Sequence, residues 1–172
     1  MLLSSDGEEI GTALKREVHG PDAPLHLAFS CYLKDPVGRV LVTRRSLQKL
    51  TWPGVWTNSF CGHPLPGEPV AEAVRRHARR ELGAEISELR LELPLFRYRA
   101  TDASGVVEHE VCPVYSARLD GPLDPSPAEV MEHRWVDPAD LAGAARLAPW
   151  TLSPWLVLQI ARLDLFRAEA AA

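Results

Sequence analysis

"GHPLPGEPVAEAVRRHARRELGA", residues 62–84, is the stretch from which the rest of the chain can be read. Its second half reads as a helix. Pro69 suits a first helical turn, where a missing N–H costs nothing, and Gly83 stands where a helix ends. The basic run RRHARR, residues 75–80, has two readings. It is a solvated helix face, or it belongs to a pocket for a phosphorylated ligand. Glu81, just after it, can serve a site or form a surface ion pair with Arg76 or Arg80.

Directly upstream lies "TWPGVWTNSFCGHP", residues 51–64. Two tryptophans, two prolines and two glycines surround one cysteine and one histidine. This is either a rigid turn that packs a core or a rigid turn that mounts a thiol, Cys61, beside a ligand, His63. In an extended segment these two side chains share a face. A free cysteine most often ends as a small buried hydrophobe, and that role is assigned to Cys31 and Cys112.

Further out, "LHLAFSCYL" (25–33) and "RVLVTRR" (39–45) read as strands joined by a Pro/Gly turn. "LPLFRYRATD" and "VEHEVCPVYSARL" read as two strands of a hairpin, with "ASG" near its turn. "VMEHRWVD" is another strand, and "SPWLVLQIARLDLFRAEA" reads as a terminal amphipathic helix. Strands dominate the middle, with helices between and after them. The expectation is an α+β fold, an α/β/α layered domain around a mixed sheet. One domain is expected over 1–172, with an N-terminal segment (1–18), a catalytic core (19–168) and a short tail.

Within the second strand of the hairpin, "EHE" aims Glu108 and Glu110 at one face and His109 at the other. Two carboxylates roughly 7 Å apart at Cα repel unless a cation or proton lies between them. The alternative is an exposed strand face carrying two solvated glutamates. With His19, His26 and His63, these carboxylates make a five-ligand N/O set. Such a set suits Mn2+, Mg2+ or Zn2+ with one open position. Spacing alone does not show that the five converge.

Composition narrows the class. The chain has 172 residues, 46% of them hydrophobic and 24% charged, and a net charge of -4, which suits one soluble domain. The negative balance excludes a generic nucleic-acid footprint. No apolar run is long enough to span a membrane, and the N-terminus does not read as a signal peptide. Three cysteines without CxxC spacing argue against a disulfide framework or a zinc ribbon. A cytoplasmic monomer is expected.

The 62–84 stretch resembles the Nudix box, G-x5-E-x7-R-E-U-x-E-E-x-G-U, where U is a bulky aliphatic. Gly62, Glu68, Arg76, Glu81 and Gly83 fit its spacing. His77 and Arg80 stand where the hydrolases of that family carry metal-binding glutamates, and Ala84 stands for the last aliphatic. The resemblance implies a Nudix fold and argues against ordinary Nudix hydrolysis. With "HLAFS", "LVTRR", "WPGVWTNSFCGHP", "FRYRATD", "EHEVCPV" and "SPW", the chain looks like the type I isopentenyl-diphosphate isomerases over residues 19–155.

That resemblance implies a set of roles. Cys61 and Glu110 would be the opposed proton donor and acceptor, and Tyr98 would hydrogen-bond to Glu110. His19, His26, His63, Glu108 and Glu110 would bind a first metal. Glu81 and the Cys61 carbonyl would position a second ion, Mg2+, bound with the diphosphate. Trp155 would face a carbocation. Arg45 and Lys49 would bind phosphate oxygens, with Arg76 compensating for His77 at a position usually occupied by arginine. The ligand implied is a small allylic or homoallylic diphosphate. Two other readings stand beside this one: a nucleoside-diphosphate hydrolase, and a silent metal-binding or nucleotide-sensing module on the same scaffold.

Overall fold

In a computed structural model of the protein, residues 1–14, 18, 20 and 22–167 are described. Among them, two mixed sheets and three α-helices carry the fold. The smaller sheet joins β1 (Leu2–Leu3), β2 (Glu9–Gly11), β3 (His26–Leu27), β9 (Arg97–Thr101) and β10 (Val107–Val111), in the order β2-β1-β3-β10-β9. The larger runs β12-β5-β4-β11-β8. It is built from β4 (Phe29–Lys34), β5 (Val40–Arg45), β8 (Glu85–Leu93), β11 (Val114–Asp120) and β12 (Val130–Val136). β6 (Trp56–Thr57) pairs with β5, and β7 (Phe60–Gly62) pairs with β4. The helices are α1 (Val70–Leu82), α2 (Pro138–Leu147) and α3 (Pro154–Ile160). No described helix is long and apolar enough to cross a membrane.

The layered α+β reading holds, but the single mixed sheet divides in two. Two segments read as unbroken strands each break in the middle. The first breaks at Ala28, between β3 and β4. The second breaks at Cys112 and Pro113, between β10 and β11. Pro113 has no N–H to give to a ladder, which favours a break there. The two segments run parallel and bend together. The Ala28 N–H donates to the Val111 carbonyl at 2.9 Å, and the Ser30 N–H donates to the Pro113 carbonyl at 3.1 Å. Each segment therefore enters one sheet with its first half and the other sheet with its second half.

α1 obeys its sequence. Its inner face buries Ala73, Val74, Ala78 and Leu82 against Phe29, Leu33, Leu41 and Phe60. Complete burial of Leu82 alone contributes about 1.5–3 kcal/mol. Gly83 is left-handed, at φ +57°. The Gly83 N–H reaches the Arg79 carbonyl and the Ala84 N–H reaches the Ala78 carbonyl, which closes the helix. A Cβ at Gly83 would also lie 2.7 Å from the Asp124 carbonyl oxygen. Pro69 is the cap before the helix and lies outside its first turn.

On the other side of the large sheet, α2 and α3 pack over Tyr32, Val40 and Val42. α2 starts with Asp137, whose carboxylate accepts from the Ala139 N–H at 2.8 Å, and with Pro138 at its first position. No helix is among the expectations from sequence here, although this cap and proline stand in the sequence as its start signal. The expected long terminal helix stops at Ile160. Leu163 is extended, which lets Phe166 dock edge-on against Tyr32 at 5.4 Å between ring centroids. Burial of Leu163 and Phe166 outweighs continuation of the helix.

Candidate active site

A cavity of about 450 Å³ is lined by residues of both sheets. Its first wall comes from the small sheet. Cross-strand register places Glu110 opposite Tyr98 on one side and opposite His26 on the other. Strand alternation does the rest: Glu108 and Glu110 are 6% and 5% exposed, and His109 faces away. The solvated reading of the two glutamates is therefore excluded. The Tyr98 hydroxyl lies between them, 2.7 Å from Glu108 Oε2 and 2.9 Å from Glu110 Oε2. The Thr51 hydroxyl donates to Glu108 Oε1 at 2.6 Å.

These two carboxylates titrate in opposite directions. Burial pushes Glu110 up, but hydrogen bonds and charge from His26 and His63 outweigh it and hold the group well below the usual range. Burial and the Glu110 charge push Glu108 up, against Arg45, Thr51 and Tyr98. Glu110 Oε1 is 3.4 Å from His26 Nε2 and 3.3 Å from His63 Nε2. The two rings stack at 5.2 Å. His26 Nδ1 lies 2.9 Å from the Pro24 carbonyl. A carbonyl can only accept, so Nδ1 carries the hydrogen and Nε2 faces Glu110.

His26, His63 and Glu110 each offer one ligand atom, all within 4.8 Å of one another. Two imidazole nitrogens and a carboxylate oxygen, with a carbonyl behind one ring, fit a divalent cation. Of the five expected ligands, this geometry gathers three. Glu108 lines the same cavity, but its oxygens are taken by Thr51 and Tyr98. His19 lies outside the described residues.

The second wall comes from the large sheet. Cys61 sits on β7, opposite Ser30 of β4, and lines the cavity. The turn that presents it carries strain at Trp52, with φ +44°, and uses Gly54, at φ +75°, where a side chain would not fit easily. Burial pushes the Cys61 thiol up to about 11, against Ser30 and Arg45. Cys31 and Cys112 are buried, as expected. Gly62 is required by contact, because a Cβ there would lie 2.4 Å from the His77 ring. Trp155 is 2% exposed and lines the cavity. Trp52 meets it edge-on at 5.2 Å, and the Arg45 guanidinium lies 5.4 Å over its ring.

The basic residues divide. Arg45 and Lys49 line the cavity. Arg45 donates twice to the Thr51 carbonyl, at 2.9 and 2.7 Å, and once to the Thr51 hydroxyl. Lys49 pairs with Glu129 and lies 3.9 Å from Glu81. Arg76 is not brought to this cavity. It clamps Glu68 with two hydrogen bonds of 2.8 and 2.6 Å and reaches the His63 carbonyl at 3.1 Å. Glu81 is buried, not on the helix surface. Burial raises its carboxyl, but His77 Nδ1 at 2.7 Å, Lys49 and Arg80 outweigh that and hold it low. His77, expected at a cation position, is instead the partner of Glu81. Thr51 and Glu129 were not found from sequence, since nothing local marks a partner that is distant along the chain.

A NUDIX domain profile matches residues 24–156. The chain is 58% identical over 172 residues to the isopentenyl-diphosphate Delta-isomerase of Agromyces mediolanus, covering 100% of this chain and 84% of that protein. It is 60% identical over 160 residues to the protein of the same name in Clavibacter michiganensis subsp. michiganensis, covering 93% and 82%. Among solved structures, a Deinococcus radiodurans protein matches with a TM-score of 0.72 over 95% of this chain and 97% of its own, at 24% identity. A MutT protein from Methanosarcina mazei matches at 0.61, over 83% and 91%, at 20% identity. At these identities the solved structures speak for the fold alone.

Proposed function

Because the chain belongs to the Nudix family and, within it, to the isopentenyl-diphosphate Delta-isomerases, we propose that it interconverts isopentenyl diphosphate and dimethylallyl diphosphate. One observation carries this reading: Cys61 from one sheet and Glu110 from the other line a single cavity. Moving a double bond requires a proton added at one carbon and another removed two carbons away. Alkene carbons are poor bases and allylic C–H groups poor acids, so placement must supply most of the rate.

Cys61 and Glu110 are the donor and acceptor in this reading. Tyr98 holds Glu110 through its hydroxyl. Trp155 faces the cationic carbon. A cation over an indole gains about 0.5–2 kcal/mol, or at most one or two powers of ten in rate. Arg45 and Lys49 take the phosphate oxygens, with Arg76 a more distant contributor, held by Glu68. Burial of the cavity floor keeps water from quenching the cation.

His26, His63 and Glu110, joined by Glu108 and His19, would hold Mn2+, Mg2+ or Zn2+, and Glu81 with the Cys61 carbonyl would hold a Mg2+ that neutralises the diphosphate. The catalytic unit spans residues 19–168 of one domain. It works as a monomer in the cytoplasm, on a small molecule and without nucleic acid or membrane.

The test is proton NMR of isopentenyl diphosphate in D2O with the purified protein and Mg2+. Dimethylallyl diphosphate should appear with deuterium incorporated. Absence of exchange in folded, metal-replete protein would overturn the reading. Release of phosphate from a nucleotide panel would move it to a hydrolase.

A further inference from the structure

Behind Cys61 lies a buried amide that the reaction scheme above does not use. Asn58 is wholly buried. Its Nδ2 donates to the Cys31 carbonyl at 3.0 Å and to the Phe60 carbonyl at 2.8 Å. Backbone carbonyls only accept, so these contacts fix which end of the amide is which. The oxygen must then face the other way. There it receives the Trp155 indole N–H at 2.9 Å, the Thr57 hydroxyl at 2.9 Å and the Cys61 thiol at 3.1 Å.

The far side of the sulfur is held as well. Tyr32 donates its hydroxyl to Gln159 Oε1 at 2.7 Å, which orients that amide. Gln159 Nε2 then donates to Ser30 Oγ at 2.9 Å. The Ser30 hydrogen is left for sulfur, with Cys61 at 3.5 Å and Cys112 at 3.4 Å. Cys61 is therefore gripped by an acceptor on one side and a hydroxyl on the other, both anchored in the core.

We infer that Asn58 is a positioning residue whose single amide oxygen holds the Cys61 S–H and the Trp155 indole N–H, so that the thiol and the aromatic wall of the cavity are set as one unit. Without that acceptor the thiol keeps only the longer Ser30 contact, at 3.5 Å, to hold it. An indole without it tilts toward its neighbours Trp52 and Tyr98. An error of about 1 Å at a reacting atom costs about 100-fold in rate. The inference rests on Cys61 and Trp155 acting as proposed above.

Two measurements test it. The first is the infrared S–H stretch of the full-length protein, with Cys61 isolated by subtracting the Cys61→Ser spectrum. The band should be shifted to low frequency, as for a thiol donating to an amide oxygen; a free-thiol frequency would overturn the inference. This readout does not depend on turnover, so it stands apart from the fate of the isomerase reading. The second is Asn58→Ala, in which kcat should fall about 100-fold and KM should stay unchanged, because Arg45 and Lys49 are untouched. The S–H band should move to the free-thiol frequency in the same variant. Unchanged kcat, or an unmoved band, would overturn the inference.

Discussion

The two walls of the cavity use burial in opposite ways. On the small sheet, Glu110 is buried with the His26 and His63 rings against Oε1 and the Tyr98 hydroxyl, shared with Glu108, against Oε2. Hydrogen bonding and charge from the two histidines outweigh the cost of burying the carboxylate, which stays ionised. On the large sheet, the half-buried Cys61 lies against the Asn58 amide oxygen and the Ser30 hydroxyl. There burial dominates, and the thiol keeps its proton up to about pH 11. The same desolvation that opposes charge on both walls thus leaves one proton to give and one place to receive it. The neighbours of Glu110 preserve, against burial, the ordinary order of an ionised carboxylate and a protonated thiol, and burial of Cys61 widens it.

The largest expected effect breaks one wall at a time. Cys61→Ala and Glu110→Gln should each lower isomerisation by roughly 10²–10⁴-fold, with an unchanged circular dichroism spectrum. Full activity by NMR in either variant would remove that wall from the chemistry. A smaller effect sharpens the second wall. Trp155→Phe keeps an aromatic face but loses the indole and its bond to Asn58, and should cost at least about tenfold in kcat.

The smallest effect concerns the clamp that reaches the His63 backbone from outside the cavity. Glu68 is held down to about 2 by the Arg76 hydrogen bonds, against an ordinary value of 4.5. A depressed carboxyl stabilises the fold fully above its unfolded value, and that stabilisation is lost as pH falls toward the folded one. Glu68→Gln should therefore lower stability at neutral pH by on the order of 1 kcal/mol, a screened figure for a half-exposed pair. The difference from the native chain should shrink below pH 4.5 and vanish near pH 2. Urea midpoints at the two ends of that range check it, and equal midpoints at neutral pH would show that the clamp carries nothing.

Some of this was legible in single segments. α1 and its closing Gly83 follow from local rules, because a helix satisfies its own backbone and needs only a cap and a stop. The shared face of Glu108 and Glu110 follows from strand alternation alone. The strand breaks at Ala28 and Pro113 were harder to see. Each segment keeps strand-forming residues on both sides of its break, and such residues do not say which sheet they join. Arg76 illustrates the same limit. Its charge suggested a phosphate, but Glu68, just before the cap of α1, reaches it first alongside the opening turns of the helix.

By itself, then, the sequence determined the family, the helix of the box, the shared face of the two glutamates and the presence of a thiol on a stiff turn. Those are properties of short segments, set by periodicity, caps and restricted backbone angles. Only the tertiary structure decided that the glutamates face inward, that Thr51 takes Glu108, that His77 holds Glu81 and that Asn58 holds Cys61. Partners across a sheet are chosen by register and by which buried polar atoms must find one another, and both depend on residues far apart in the chain.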